Sequence, residues 1–241
     1  QAIASLDHGV SVQVVVSNDW AKAHNIDASQ PLKQRMEGLP GAKDAAISST
    51  GVAVLKLLLS QNGVSPDSVD YVTVGSDAAG AAALGHGTLQ TFVGSPPSTY
   101  FMSRNANSTI LASASEVPEL RDMAYDILIT DPGYAQKNPK AATAVATALA
   151  RAENLMATDP QKVLDIEAKH FPSYSKDDLL KSLGAVQWTK DGMFTQPMWD
   201  DAVKASQEMG QLEGSVDASQ DGLWTNKYLD TGKMTAAGGA S

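Results

Sequence analysis

The chain has 241 residues, of which 43% are hydrophobic and 19% are charged, and its formal net charge is −9. These values predict a folded protein with a sizeable core, and the acidic balance argues against nucleic acid or an anionic membrane surface as a partner. The absence of cysteine excludes disulfides, thiol nucleophiles and thiolate metal sites, and no apolar run is long enough to span a membrane.

The N-terminal part is predicted to contain the end of a helix, a strand and a connector. Residues 3–9 have the pattern of a helix that ends at a glycine turn, and residues 10–16 form a largely buried strand. Asn18 lies just beyond that strand, where polar groups often bind ligands in open α/β sheets, although a plain turn also accounts for it. Residues 21–40 are polar and rich in turn formers, which indicates a connector into a second unit.

The stretch from residue 45 to residue 93 alternates predicted strands with predicted helices. Such a pattern is typical of a parallel sheet with right-handed crossovers. Ser49 or Thr50 is predicted to cap the first of these helices, and Gly63 to end it in the left-handed conformation. The predicted elements are strands at 45–47, 69–74 and 89–93 and helices at 51–62 and 77–84.

Three turns of small polar residues follow these strands, at what is predicted to be one edge of the sheet. Backbone N–H groups at the start of the first helix lack internal partners and add to the helix dipole, which favours an anion such as a carboxylate, sulfonate or nitrate. Ordinary capping and turn formation are the alternative explanation for the same residues. The candidate ligand-binding residues, with the turn after the first strand included, are Asn18, Ser48, Ser49, Thr50, Gly51, Gly75, Ser76, Ser95 and Pro96.

The C-terminal part is predicted to be mainly helical after two short strands at 109–112 and 123–130. Asn138 is predicted to cap a long helix that Pro139 opens and that extends to residue 157. The predicted apolar stripe of this helix consists of Ala141, Val145, Ala148, Leu149, Ala152, Leu155 and Met156. Further helices are predicted to begin at Pro96 or Pro97, at Asp159, at Ser175 and at Thr195, and Ser175 forms a capping box with Asp178. A flexible tail is predicted from Thr231.

The sequence lacks the residue patterns of common catalytic and metal sites. The histidines are far apart and have no ligand-spaced partners, and a helix-ending turn explains His86, between two glycines, more simply than a catalytic role. No P-loop, GxGxxG or GxSxG motif follows a strand. We therefore predict no metal, no cofactor and no catalytic residue. Trp188, Trp199 and Trp224 are expected to be packing residues.

A series of short motifs runs through the chain in a fixed order to about Leu229. The pieces are Gly9 with Val12 and Val15, residues 38–41, residues 48–51 with the following helix and residues 62–67, residues 69–75, residues 82–84 with Gly87, residues 95–97, and residues 138–160. In this order and spacing the chain resembles the nitrate/sulfonate/taurine group of solute-binding proteins that feed ABC importers. No single piece is specific, so the resemblance rests on their succession.

The resemblance implies an α/β, two-lobe type II periplasmic binding-protein fold, with one lobe incomplete at its N-terminal side because such proteins carry further residues there. The candidate turns and Asn18 would then line the cleft between the two lobes. The implied division is a first-lobe segment and hinge strand at 1–20, a second lobe with the β-α-β-α-β parallel sheet at 21–117, a return to the first lobe with C-terminal helices at 118–230, and the tail at 231–241.

The same resemblance implies the substrate-binding component of an ABC importer, which holds a small anionic or polar ligand such as an aliphatic sulfonate, taurine or nitrate. Its partners would be that ligand and an ABC permease in the membrane, for a monomer in the periplasm or anchored outside the cell. Precursor-synthesising fungal enzymes of a related branch use a cysteine-rich motif, which this chain cannot have. A ligand-sensing domain of the same fold and, further behind, a small α/β enzyme are the alternatives.

Overall fold

The structure, a computed structural model, describes residues 1–230 and Gly232, and the described strands form two separate sheets. The strands are β1 (Ala2–Ser5), β2 (Gln13–Ser17), β3 (Lys43–Ala46), β4 (Asp70–Thr73), β5 (Thr91–Gly94), β6 (Ser108–Ser113) and β7 (Ile127–Ile129). The helices are α1 (Asn18–Ala23), α2 (Leu32–Glu37), α3 (Ser49–Gln61), α4 (Asp77–Gly85), α5 (Ser98–Asn105), α6 (Pro118–Arg121), α7 (Pro132–Lys137), α8 (Pro139–Thr158), α9 (Pro160–His170), α10 (Lys176–Ala185) and α11 (Gln196–Glu208). The predicted flexible tail from Thr231 lies outside the described residues, apart from Gly232.

The larger sheet has five strands in the order β4-β3-β5-β2-β6. β3 is parallel to both β4 and β5, which confirms the predicted parallel arrangement of these three strands. β2 is antiparallel to β5 and to β6, a direction that the sequence pattern did not predict. Gln13, at the start of β2, therefore pairs with Gly94 and Ser113, at the ends of its two neighbours.

The smaller sheet pairs β1 with β7, and here the predicted helix end at residues 3–9 is wrong. Ile3 and Ala4 are both buried, and a short apolar run of this kind is equally compatible with a buried strand. β7 is also shorter than the predicted strand at 123–130. Met123 and Ala124 leave the ladder because their backbones bond instead to Gly9 and to Met198.

The chain crosses between the two sheets twice, through residues 6–12 and residues 114–126, which we call the hinge segments. They lie side by side, because the Gly9 amide donates to the Met123 carbonyl at 2.8 Å and the Val10 amide donates to the Leu120 carbonyl at 2.7 Å. The chain therefore passes between the two sheets through two adjacent segments.

The long helix α8 begins at Pro139 as predicted, but its predicted apolar stripe is wrong. Ala142, Ala146 and Ala150 are buried, on the side of the helix that packs against β1, whereas Val145 is 52% exposed. Small alanines allow the helix to approach the sheet closely, so volume rather than hydrophobicity selects the buried side. Asn138 occupies the cap position, but its side chain donates to the Tyr134 carbonyl instead of accepting from the helix.

Among the C-terminal helices, α8 packs against β1 of the smaller sheet and α11 packs against α6 in the second hinge segment. The predicted capping box of Ser175 and Asp178 is present at the start of α10, whereas Thr195 precedes α11 without a side-chain cap. Trp199 and Trp224 are buried around Phe194, as expected for packing residues, and Trp188 is half-buried. Among the described residues, no helix combines the length and apolar character needed to cross a membrane.

Candidate functional site

The three candidate turns at 48–51, 75–76 and 95–96 lie at one edge of the larger sheet. They follow β3, β4 and β5, and because these strands are parallel, their carboxyl ends meet at that edge. The predicted common edge is confirmed. The start of β2 and the end of β6 lie at the same edge, so residues near Gln13 and Ser113 extend it by two further strands.

Helix α3 opens toward this edge with free backbone N–H groups. The cap is Ser48, one residue before the predicted position, and its hydroxyl accepts from the Gly51 amide at 3.3 Å. Ser48 and Ser49 are exposed, and Gly51 is packed so closely that a Cβ there would lie 3.2 Å from the Val93 carbonyl oxygen. The start of α3 is therefore open to a ligand on one side and held against β5 on the other. Ile47, 46% exposed, adds an apolar surface beside it.

Asp77, in the first turn of α4, links two of the turns to each other. Ser76 caps α4, and the Ser98 hydroxyl at the start of α5 donates to Asp77 Oδ2 at 2.8 Å. The Tyr174 hydroxyl donates to the same carboxylate oxygen. The other oxygen, Oδ1, is buried and has no hydrogen-bond partner within the described part of the chain. Asp77 therefore keeps one unsatisfied carboxylate oxygen, closed off from solvent, beside the candidate turns.

The loop between α9 and α10 and α10 itself contact α4 and α5 beside this edge. Tyr174 packs edge-on against Phe101, with ring centroids 5.7 Å apart, and Arg104 Nε lies 2.8 Å from Asp178 Oδ2. Burial, followed by the hydrogen bond to Asp77, raises the pKa of Tyr174. Helices of the two halves thus contact each other directly beside the candidate turns.

Sequence reasoning missed both Asp77 and Tyr174. Asp77 directly follows the candidate residue Ser76, so an acidic side chain within a ligand-binding turn was a signal that could have been used. Tyr174 carries no local signal, because it reaches Asp77 across 97 residues of sequence through the packing of α10 on α5.

Asn18 does not belong to this edge, which corrects its predicted place in the cleft. β2 runs antiparallel to β5 and β6, so its carboxyl end lies at the opposite edge of the sheet. The Asn18 side chain donates to Asn107 Oδ1 at 2.9 Å and accepts from the Thr109 hydroxyl at 2.8 Å. His86 ends α4 and is therefore also remote from the helix start at Asp77.

Three carboxyl groups lie together where the smaller sheet meets α8. Asp7 and Glu153 are almost fully buried, and Asp7 Oδ1 accepts from the Asp126 amide at 2.9 Å. Burial raises the pKa of Asp7 and that of Glu153 to about 7, and the charges of Asp7 and Asp126 add to the effect on Glu153. Over the described residues, no group of three or more histidine and acidic side chains has an arrangement that could hold a metal ion.

Comparison with known proteins identifies a matching family. The model of the family described as NMT1/THI5-like matches residues 20–163, more than half of the chain. A search of curated proteins gives no match.

Solved structures share the fold at low sequence identity. A protein of Bordetella bronchiseptica RB50 is 19% identical, with a TM-score of 0.71 over 98% of this chain and 74% of its own. The alkanesulfonate-binding protein SsuA of Xanthomonas axonopodis pv. citri, bound to MOPS, is 14% identical, with a TM-score of 0.66 over 88% and 70%. The periplasmic nitrate-binding protein NrtA of Synechocystis PCC 6803 is 14% identical, with a TM-score of 0.64 over 90% and 62%. These likenesses confirm the predicted type II periplasmic binding-protein fold.

Proposed function

Because this chain belongs to the NMT1/THI5-like family, we propose that it is the substrate-binding component of an ABC importer and has no catalytic activity. It binds a small anionic or polar solute in the cleft between its two halves, and closure around the solute creates the surface that a membrane permease recognises. The proteins described as sulfonate-binding and nitrate-binding that share its fold support this proposal.

The observation that carries the proposal is the convergence of three turns at one sheet edge, opposite the loop between α9 and α10. The turn at 48–51 supplies the first-turn N–H groups of Ser49 and Thr50, which have no partner within the helix, and the positive end of a 13-residue helix. Backbone donors at a helix start hold an anion without reacting with it. No nucleophile with a base and an orienting partner is among the residues that line this edge, which favours binding over catalysis.

The solute class follows from the charges at two neighbouring positions of this edge, after β3 and after β4. The start of α3 attracts an anionic group, while the Asp77 carboxylate, with its unpaired Oδ1, favours a hydrogen-bond donor or an ammonium group. A solute with both kinds of group, such as taurine, satisfies both positions. Nitrate satisfies the first position alone.

The division of the chain and its location belong to the same proposal. One lobe consists of the smaller sheet and its helices, and the other consists of the larger sheet with residues 13–113. The predicted boundary at residue 20 moves to the first hinge segment, because β2 lies between β5 and β6 in the larger sheet. The protein acts as a monomer in the periplasm, or outside the cell on a membrane anchor, with the permease as its protein partner.

Calorimetric titration of the full-length protein with taurine, ethanesulfonate, nitrate and MOPS tests the proposal. We expect at least one of these solutes to bind. Ser49→Asp should weaken the binding of a short anion among them, taurine, ethanesulfonate or nitrate, about tenfold or more, because the new carboxylate suits the helix dipole but repels an anion from the start of α3. Gln161→Asp places the same charge in the first turn of α9 and should bind as the wild type does. Failure of the wild type to bind any of the four solutes would contradict the proposal.

A further inference from the structure

A cavity of about 330 Å³ lies between the two hinge segments and the residues that follow α10. Ser11 lines it from the first hinge segment, Arg121 from the second, and Gln187 from the loop after α10. Ser113, which also lines it, is the last residue of β6, so the cavity continues the sheet edge that carries the candidate turns. Its volume is within the range of small-molecule sites.

The lining of this cavity is rich in hydrogen-bond donors. The hydroxyls of Ser113 and Ser115 lie 2.9 Å apart, and Ser11 adds a third hydroxyl. Arg121 Nε donates to the Ser115 carbonyl at 3.0 Å, which fixes the guanidinium beside these hydroxyls. No ion pair of the described residues includes Arg121, so its terminal nitrogens are available to a ligand.

The local charge of the cavity is opposite to that of the whole chain. The protein carries a formal net charge of −9, yet Arg121 lines the cavity together with His8, and no carboxylate does. The adjacent acidic side chain, Asp122, lies 3.9 Å from His8 Nδ1 and is mostly exposed. A guanidinium without a carboxylate partner, among hydroxyl groups, is suited to bind a carboxylate or sulfonate.

The backbone around Arg121 is held in place by close contacts. Gly9 has a φ of +76°, and a Cβ at this position would lie 2.0 Å from the Arg121 carbonyl oxygen. The Gln187 side-chain amide donates to the same oxygen at 2.9 Å. Arg121 is therefore positioned by both the first hinge segment and the loop after α10, and a ligand bound to it would lie between both hinge segments and that loop.

We propose that the hinge cavity is a charged subsite in which Arg121 and the serine hydroxyls bind the acidic group of an organic solute. The inference rests on the proposed function and narrows the solute to an elongated organic acid. The cavity lies at the β6 end of the edge and α3 starts at β3, three strand spacings or about 14 Å away. The acidic group lies at Arg121, and the remainder of the solute extends over residues 95–96 toward α3.

Calorimetric titration of the full-length protein with MOPS, an elongated sulfonate, tests this subsite. Arg121→Gln should weaken binding about 10- to 100-fold, since it removes a charge-assisted hydrogen bond to the sulfonate. Arg121→Lys keeps the charge without the planar fork and should lose less. Arg151→Gln, which removes an exposed arginine of α8 outside the cavity, should bind as the wild type does. Raising the salt concentration should weaken wild-type binding more than that of Arg121→Gln.

The outcomes separate this inference from the function on which it rests. Unchanged MOPS binding by a folded Arg121→Gln protein, together with weakened binding by Ser49→Asp, would overturn the subsite and leave the proposed function standing. An Arg151→Gln loss as large as that of Arg121→Gln would overturn it too, because a general charge effect would then suffice. If the wild type binds taurine but not MOPS, the inference that the solute is an elongated organic acid is overturned, and the proposed function stands. If none of the four solutes binds, both the function and the subsite are overturned.

Discussion

Buried carboxyl groups are the residues of this molecule whose chemistry is most altered by the fold. Asp7 and Glu153 have pKa values raised to about 7, first by burial and then by neighbouring carboxylates. Glu153 Oε2 is buried and has no hydrogen-bond partner among the residues described. The ionised form of this side chain is therefore disfavoured in the folded protein, and its titration should make stability depend on pH.

Glu153→Gln should stabilise the protein at alkaline pH. Because the pKa of Glu153 is raised in the folded protein, the protonated side chain makes its full contribution to stability below the ordinary pKa of glutamate, near 4.5. That contribution is lost as the pH rises through about 7. Glutamine cannot ionise, so the variant should gain about 1–2 kcal/mol over the wild type at pH 8 and much less at pH 5. Urea unfolding at both pH values measures this difference.

An exposed glutamate provides the control for that experiment. Glu213 lies in the loop after α11 and is exposed, so Glu213→Gln should change the free energy of unfolding equally little at the two pH values. A Glu153→Gln protein whose stability relative to wild type is the same at pH 5 and pH 8 would show that Glu153 does not titrate between them.

At the scale of residues, local chemistry was predictable and strand direction was not. The cap at the start of α3 follows from the capping preferences of serine and threonine, and the turn at 48–51 was therefore identified to within one residue. Asn18 was assigned to the wrong edge because the pattern of β2 is the same whichever way the strand runs. Only its pairing with β5 and β6 decides the direction.

At the scale of elements, the contact between α5 and α10 holds the two halves together beside the candidate turns. It combines the Arg104–Asp178 ion pair with the Tyr174 hydroxyl, which donates to Asp77 on α4. Asp178 is almost fully buried, and it also completes the cap of α10. In the proposed mechanism this contact has to be broken when the two halves separate.

Tyr174→Phe should weaken this contact while keeping the aromatic packing on Phe101. The substitution removes a hydrogen bond to a carboxylate, so we expect a loss of about 1–2 kcal/mol in the free energy of unfolding. Tyr134→Phe, at a side chain that is 54% exposed, is the matched control and should lose little. Equal losses in the two variants would mean that the hydroxyl of Tyr174 contributes nothing across the contact.

Element positions were predicted better than element contacts. The strands of the larger sheet and helices α3 and α4 were found from the alternation of strand and helix patterns, and α8, α9 and α10 from their proline and serine starts. Helices α1 and α2 were missed, because they lie in the stretch assigned to a turn and a connector. The buried side of α8 was not found, because alanine is present on several sides of the helix and its hydrophobicity does not distinguish them. The partner, β1, had itself been assigned to a helix, so no surface was available to decide the question.

At the scale of the whole molecule, two sheets joined by two adjacent hinge segments suit a protein that closes on a solute. Neither local propensity nor composition predicts this arrangement, because the chain passes between the two halves at two places that are distant in sequence. The order of short motifs along the chain predicted it through family resemblance, and the shared fold confirms that part of the prediction. The proposed closure of the cleft is a movement of these two halves toward each other.

Closure can be measured directly, because the chain has no cysteine and two introduced cysteines would carry spin labels at known positions. Gln34→Cys on α2 and Gln161→Cys on α9 place one label on each half, at exposed residues. The account predicts that a solute bound by calorimetry shortens the mean distance between the labels and narrows its distribution. A label distance that stays the same when that solute is saturating would contradict binding by closure of the two halves.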